Sequence, residues 1–561
     1  MLRVARTALP RARFSRTLGV RYVSSTSPRP TGRRIAFASG GAALGLATLL
    51  SSTMYADSAT AVSLPATSKS NRADEGSRSS LGTLVRTYVV YTMCSIPALV
   101  DGAPWLLDTF TSIPGIRWIT EAIVRITFFD QFVGGDSAVQ SLPLLKSLRA
   151  ENTGTLFAYS VEVDEAEAMA ASASGSSQKS PHKAIIDEMV HCIDVAADFE
   201  DGLIAKQSGR RTWVAVKITA LLPDASALIR LSSHILSTRP PTSPPQVAFP
   251  GNPTFSDLDV LYTPGAPKGN LSEADLAMLR ELYADLEVIC TRAQARGVRI
   301  IVDAEYSWYQ PALDALTLAL MRRFNALESR SGIHTQPLVY ATFQAYLRRT
   351  HAHLVHALRD AQKHKYALGV KLVRGAYHTH ETAAHPATAS GKGKTLSISP
   401  DALPPVWVVK ADTDANYDAC AALLLDEVAA DVAGPSGRPQ SVGLLFGTHN
   451  WASCRKIMEG LAARGLATPT VEGKLRVAER VGERVTFGQL YGMCDDLTQY
   501  LANQTEAGAP MVIKYVPYGA LSDVMPYLSR RAIENKSVLG GGAAQAERDR
   551  AGKLILQRLF G

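Results

Sequence analysis

Short runs of β-branched and apolar residues recur eight times from residue 156 onward: LFAYSVEVD (156–164), WVAVKITAL (213–221), VRIIVDAEY (298–306), PLVYATF (337–343), LGVKLVRG (368–375), VGLLFGT (442–448), VTFGQLYG (485–492) and MVIKYVPYG (511–519). They are nearly continuous rather than alternating, as strands of a parallel sheet covered on both faces read. Helical stretches lie between them. After the fourth run, Leu347, Leu354, Val355 and Leu358 form one stripe, and residues 271–296 behave similarly. Eight strands alternating with helices over about 390 residues predict an α/β fold, a (β/α)8 TIM-like barrel spanning 136–540, with an open doubly wound sheet as the competing architecture. Low-complexity or Pro-rich stretches at 167–183, 222–270 and 384–405 read as surface insertions, and 541–561 as a C-terminal helix.

Upstream, residues 83–135 read as an N-terminal helical arm. Leu84, Val85, Tyr88, Val89 and Met93, then Ile119, Ile123 and Ile126, give it an apolar face suited to the body or to a membrane. Residues 57–82, rich in Ser and Ala, read as a linker. The 22 residues 35–56 carry no charge and match one membrane span in length, though Gly, Ser and Thr dilute them; the tail of a targeting signal is the other reading. Residues 1–34 are rich in Arg and Ser, lack acids, and interleave Arg with apolar positions, the pattern of a mitochondrial presequence.

The leader also changes the meaning of the net charge. Residues 1–56 hold nine arginines and no lysine or acid, against +8 for the whole chain, so the remainder is −1. A folded body without a basic excess argues against a nucleic-acid partner. The six cysteines are scattered, with no C-x-x-C and no His at zinc spacing, so neither a disulfide framework nor a metal site is expected.

In a (β/α)8 barrel the chemistry sits at the carboxyl ends of the strands. Here Glu162 closes the first run, Lys217 lies in the second, and Asp303 and Glu305 close the third. Gln344 follows the fourth, Lys371 and Arg374 sit in the fifth, and His449 and Asn450 lie just past the sixth. Gln489 lies in the seventh, and Lys514 and Tyr515 in the eighth. Charges in strand interiors are costly unless paired or facing ligand, so this many at corresponding positions predict a functional cleft. In YLSRRAIENKSVL (527–539), Tyr527, Arg530, Arg531 and Glu534 share one helix face, with an Arg530–Glu534 i,i+4 pair as the plain structural expectation. Two adjacent arginines beside a tyrosine suit a bidentate grip on a carboxylate. A Schiff-base aldolase using Lys217, Lys371 or Lys514 is an alternative chemistry. No strand–GxGxxG–helix fingerprint is present, so a Rossmann domain is unsupported.

These residues resemble the mitochondrial proline dehydrogenase family in its fungal form. The carrying motifs are TFFDQFVGGD, VKITAL, VDAEYSWYQPALD, TFQAYLRR, GVKLVRGAY, LFGTHN, FGQLYGM, IKYVPYG and YLSRRAIEN, in order over 127–539. The resemblance implies FAD-dependent oxidation of L-proline to Δ1-pyrroline-5-carboxylate, by hydride transfer to flavin N5. It also implies electron transfer to ubiquinone at the matrix side of the mitochondrial inner membrane, as the first step of proline catabolism to glutamate. Arg530 and Arg531 would bind the carboxylate with Lys217 assisting. Asp303, Leu372, Tyr377, Leu490, Tyr515 and Tyr527 would shape the substrate pocket. Gln344, Lys371, Val373, Arg374, His449 and Asn450 would contact FAD, with Lys371 facing charge on the reduced flavin and Arg374 offsetting phosphate charge. Glu162 would pair with one of the two arginines over the site, and Glu534 is the other gating or ion-pair candidate. Hydroxyproline dehydrogenase, of the same superfamily, is the alternative activity; the bulk of Tyr515 favours unsubstituted proline.

Overall fold

The computed structural model describes residues 80–160, 181–203, 209–240, 243–327, 336–385, 395–434, 441–537 and 543–560. The presequence, the uncharged 35–56 segment, nearly all of the 57–82 stretch, Glu162 and most of 167–183 lie outside the described residues.

Eight parallel strands form a closed barrel: β1 (Thr153–Tyr159), β2 (Thr212–Val216), β3 (Ile300–Val302), β4 (Val339–Gln344), β5 (Leu368–Val373), β6 (Val442–Gly447), β7 (Val485–Leu490) and β8 (Val512–Tyr518). Each pairs with its neighbours in chain order, and β1 closes the ring onto β8, with Leu156 opposite Tyr515. All eight strands fall on the eight apolar runs, so the closed architecture holds over the open sheet. All but the fourth run overshoot their strands at the carboxyl end. The second strand stops at Val216, so Lys217 stands past it, ahead of a 3-10 turn over Ile218–Leu221.

Strand alternation divides the apolar residues into two layers. Outward residues, such as Val214 and Val216 on β2, Val370 and Leu372 on β5, and Val512 on β8, pack under the helices in one large core. Inward residues Leu156, Trp213, Ile301, Tyr340, Leu445 and Ile513 fill the lumen in a separate cluster. The Trp213 and Tyr340 rings lie 5.3 Å apart there, so the lumen is a packed core with its open space at the carboxyl end.

Each strand leads into a helix: α4 (Pro181–Asp201), α5 (Ser226–Thr238), α7 (Gln310–Phe324), α8 (Thr350–His364), α9 (Lys410–Ala433), α10 (Trp451–Ala463), α11 (Asp495–Gln504) and α12 (Leu521–Ser537), with α6 (Glu273–Arg296) added between β2 and β3. The α6 ends carry their signals in the sequence: a Ser272/Asp275 capping box and Gly297 in the left-handed region at φ 66°. Part of the 222–270 stretch is not a surface excursion. Ala227, Leu228, Leu231 and Ile235 of α5 are fully buried, and the helix packs on α7. A three-stranded sheet of Ala467–Pro469, Leu475–Val477 and Thr505–Glu506 was not foreseen; two- and three-residue strands leave no period to read.

Before the barrel come α1 (Leu81–Cys94), α2 (Pro97–Ser112), α3 (Ile116–Val124) and a π-helical turn, Arg125–Phe129. Helicity begins at Leu81 behind the Ser80 cap, so the linker ends before residue 82. The last helix, α13 (Ala543–Phe560), lies against α1. Val90, Cys94, Phe129 and Phe132 of the arm join Val524, Tyr527 and Leu528 of α12 in one buried cluster. Tyr91 and Gln131 donate hydrogen bonds to the Gly492 carbonyl at 2.9 and 3.0 Å. The arm therefore backs the helix that carries Arg530 and Arg531.

Candidate active site

A cavity of about 570 Å³ opens at the carboxyl ends of the strands, within the ~300–1,000 Å³ range of small-molecule sites. Lys217, Asp303, Gln344, Lys371, Val373, Arg374, Tyr377, His449, Leu490, Tyr515, Tyr527, Arg530, Arg531 and Glu534 all line it, though they come from stretches up to 317 residues apart in the chain, Lys217 to Glu534.

Asp303, the first residue past β3, is the hub of one wall. Its Oδ1 takes the Lys371 ammonium at 2.6 Å, and its Oδ2 accepts a hydrogen bond from the Tyr515 hydroxyl at 3.2 Å. The same ammonium lies 5.2 Å from the Tyr515 ring centroid. Burial and the Asp303 charge push the Tyr515 phenol well above its ordinary value, so it stays protonated and donating. Glu305 is buried beside them and accepts from the Thr219 amide and hydroxyl at 3.1 and 2.6 Å. Burial raises its carboxyl, against the nearby Lys217 charge, which lowers it.

The opposite wall is α12. Arg530 Nη1 donates to the Tyr377 hydroxyl at 3.4 Å, and Arg531 lies 5.1 Å over the Tyr527 ring. Glu534 forms an ion pair with Arg531, its i,i+3 partner. An aromatic stack stands behind Tyr377: Trp308 on Tyr306 at 4.4 Å, and Tyr306 on Tyr377 at 4.3 Å. Glu381 locks this stack by accepting from the Ser307 amide and hydroxyl, both at 2.6 Å. Sequence reasoning missed Glu381 and Ser307, whose pairing across 74 residues no local pattern announces. Asp101 of α2, which also lines the cavity, was missed for the same reason.

Three expected residues, Leu372, Asn450 and Lys514, lie off the cavity wall. Leu372 does not line the cavity: Lys371 and Val373 point inward, so alternation sends Leu372, fully buried, into the layer under the helices. Asn450 is not on the wall either. Its side chain caps α10, accepting from the Ser453 amide at 3.1 Å. Arg374 reaches the cavity, but its guanidinium is held by Asp414 at 2.7 Å, Thr448 Oγ1 at 2.8 Å and Ser453 Oγ at 2.9 Å, over the Tyr417 ring. This network braces the β5 end while Arg374 stays on the cavity wall. Lys514 lies outside the cavity, bound to Asp495 and the Met493 carbonyl, both at 2.7 Å, which removes one of the candidate Schiff-base lysines.

The wall formed by β4 to β7 suits a flat, polar-edged group. Gln344 presents a buried Oε1 without a hydrogen-bond partner, an acceptor waiting for a donor. His449 Nε2 accepts from the Leu490 amide at 3.0 Å, which puts the proton of the neutral ring on Nδ1. The backbone turns away at Gly375, at φ 126°; a Cβ there would stand 2.5 Å from the Tyr346 ring. These donors, acceptors and the Lys371 cation fit an isoalloxazine in kind.

Known proteins resemble this chain over most of its length. The sequence profile of the family described as Proline dehydrogenase matches residues 144–541. Hydroxyproline dehydrogenase of Xenopus laevis is 29 % identical over 477 residues, covering 85 % of this chain and 87 % of that protein. Hydroxyproline dehydrogenase of Mus musculus is 30 % identical over 480 residues, covering 85 % and 91 %. Mitochondrial proline dehydrogenase 1 of Dictyostelium discoideum is 26 % identical over 486 residues, covering 86 % and 73 %. Among solved structures, proline utilization A from Bdellovibrio bacteriovorus, inactivated by N-propargylglycine, shares the fold with a TM-score of 0.53 at 18 % identity. The match covers 84 % of this chain and spans 42 % of that longer one.

Proposed function

The chain belongs to the proline dehydrogenase family, and from that premise we propose that it oxidises L-proline to Δ1-pyrroline-5-carboxylate with a bound FAD and passes the electrons to a membrane quinone, as the first step of proline catabolism to glutamate. FAD, when bound, supplies the hydride acceptor at N5 for the ring carbon next to proline's nitrogen on the side away from the carboxylate. Gln344, Lys371, Val373 and His449 would hold it along the β4 to β7 wall.

The chain's own residues fix what reacts. Arg530 and Arg531 take the substrate carboxylate as a fork pair, which decides which ring carbon faces the flavin. Tyr377 and Tyr527 stand against those guanidiniums and limit their movement. Tyr515, anchored on Asp303, presses on the ring and keeps water out. Lys371 puts a held cation where negative charge gathers in the reduced state. Lys217 lies on the same cavity wall and assists the carboxylate grip.

The observation that carries the reading is the meeting, in one cavity, of the paired α12 arginines with the Asp303–Lys371–Tyr515 group. Relatives named hydroxyproline dehydrogenase favour a second reading, trans-4-hydroxy-L-proline as substrate. The Tyr515 hydroxyl is tied to Asp303 and cannot swing aside without breaking that bond, which favours unsubstituted proline. Steady-state rates with both substrates and a soluble quinone test this. A kcat/KM higher for the hydroxylated substrate would reverse the assignment. The relatives named mitochondrial and the Arg-rich leader support a mitochondrial location; a membrane quinone as acceptor would put the chain at the matrix side of the inner membrane. Among the described residues no helix is long and apolar enough to cross a membrane.

A further inference from the structure

The α2–α3 hairpin has an apolar face that nothing in the described chain covers. Trp105 is 68 % exposed, Trp118 75 % and Ile126 63 %, and Phe110, Ile113, Ile116, Ile119 and Ile123 are exposed with them. None of the nine residues of α3 is buried, although Ile116, Ile119 and Ile123 follow helical spacing. A soluble surface seldom leaves so large a run of Trp and Ile open.

The polar groups of the hairpin point to the occupant. Thr109 donates to the Trp105 carbonyl, Ser112 to Thr109, Thr120 to Ile116 and Thr127 to Ile123, at 2.6–3.0 Å. Each of these hydroxyls is satisfied by its own helix. Arg117 and Glu121 neutralise each other across one turn at 2.7 Å. A protein partner reads donors and acceptors, and these offer little to read. A hydrocarbon boundary requires polar groups to be satisfied from within, as these are.

We propose that the α2–α3 hairpin docks in the acyl boundary of a bilayer leaflet, with Trp105, Phe110, Ile113, Trp118, Ile119 and Ile123 as its buried side chains. The hairpin has no lysine, Arg117 is paired with Glu121, and Asp101 and Asp108 leave it two acids in excess, so the attraction is apolar rather than headgroup charge. Asp101 lines the active-site cavity one helical turn before Trp105, and α2 packs against α12. The docked surface therefore lies beside the cavity mouth, where a lipid-soluble acceptor would arrive. The inference extends the quinone reading but rests on the hairpin's own surface.

The test uses the full chain with phosphatidylcholine vesicles, plain or carrying brominated acyl chains. Trp213, Trp308, Trp407 and Trp451 sit on the barrel, buried or half-buried, so they serve as the internal background. The expected result is binding that added salt does not weaken, with tryptophan quenching by the brominated chains. That quenching should vanish in W105F/W118F, a variant that still binds. I119E/I123E should lower partitioning at least about tenfold. Binding without bromine quenching would assign the contact to another segment, such as 35–56, and overturn the proposal. So would absence of binding, or a vesicle-independent oligomer that I119E/I123E converts to monomer. A colourless protein would defeat the flavin reading and leave the vesicle result unaffected, so the two failures are distinguishable.

Discussion

Replacing Asp303 with alanine removes one carboxylate that serves two partners. Its bond to Lys371 is 2.6 Å long, between side chains only 12 % and 20 % exposed, so solvent screens it weakly. A charge-assisted bond of this kind contributes about 1.5–3 kcal/mol, and leaving a half-buried ammonium without its partner sits at the upper end. The Tyr515 hydroxyl, 3.2 Å from Oδ2, loses its acceptor in the same step and can swing from the ring. If Lys371 and Tyr515 act on the substrate and cofactor through this hub, kcat/KM for L-proline falls about 10–100-fold. Asp303→Asn keeps an acceptor for Tyr515 and loses less, chiefly in kcat. Steady-state oxidation of L-proline with a soluble quinone measures both variants, with far-ultraviolet circular dichroism as the control on folding. Folded Asp303→Ala with kcat/KM within twofold of the parent would refute the hub.

Arg530→Met or Arg531→Met should raise KM for L-proline at least about tenfold while cofactor content stays unchanged; an unaltered KM would take that residue out of the carboxylate grip. Leu372→Ala should cost about 2–5 kcal/mol of stability in thermal or urea unfolding and leave KM where it was, because it leaves a cavity outside the barrel wall; a raised KM with unchanged stability would return Leu372 to the pocket. Burial pushes Glu381 from an ordinary 4.5 up to about 7, so its contribution to stability is full below 4.5 and declines as pH rises through 7, by roughly 3 kcal/mol at most. His378, taken by burial down to about 4, acts in the opposite sense: its contribution is full above 6.5 and is lost as pH falls toward 4. Glu381→Gln can still accept from the Ser307 amide, so its unfolding midpoint should no longer fall between pH 5 and 7; a decline equal to the parent's would count against Glu381 as the titrating group.

The barrel was legible because parallel strands buried on both faces read as apolar runs, and eight of them leave few other architectures. The strand ends were less so. Lys217 follows Val216 without a break in pattern, yet the backbone turns between them, so functional residues beyond the sheet look like its continuation. β3 is the extreme case, three residues of ladder within a nine-residue run. The α5 helix was hidden by the Pro-rich residues 240–250 that follow it, although Leu228, Leu231 and Ile235 carry helical spacing. Spacing showed that charges gather at one end of a barrel. Which charges pair came only from the fold, because Asp303 meets Tyr515 across 212 residues and Ser307 meets Glu381 across 74. Leu372 shows the limit of transferring roles by motif: beside two inward residues, the pleat turns it outward.

The most direct measurement of the central claim is the visible spectrum of the purified full chain, recorded without oxygen before and after L-proline is added. The account predicts a yellow protein whose flavin absorbance falls on addition and returns when a quinone is supplied. A protein without chromophore, or one whose absorbance L-proline leaves unchanged, would contradict it.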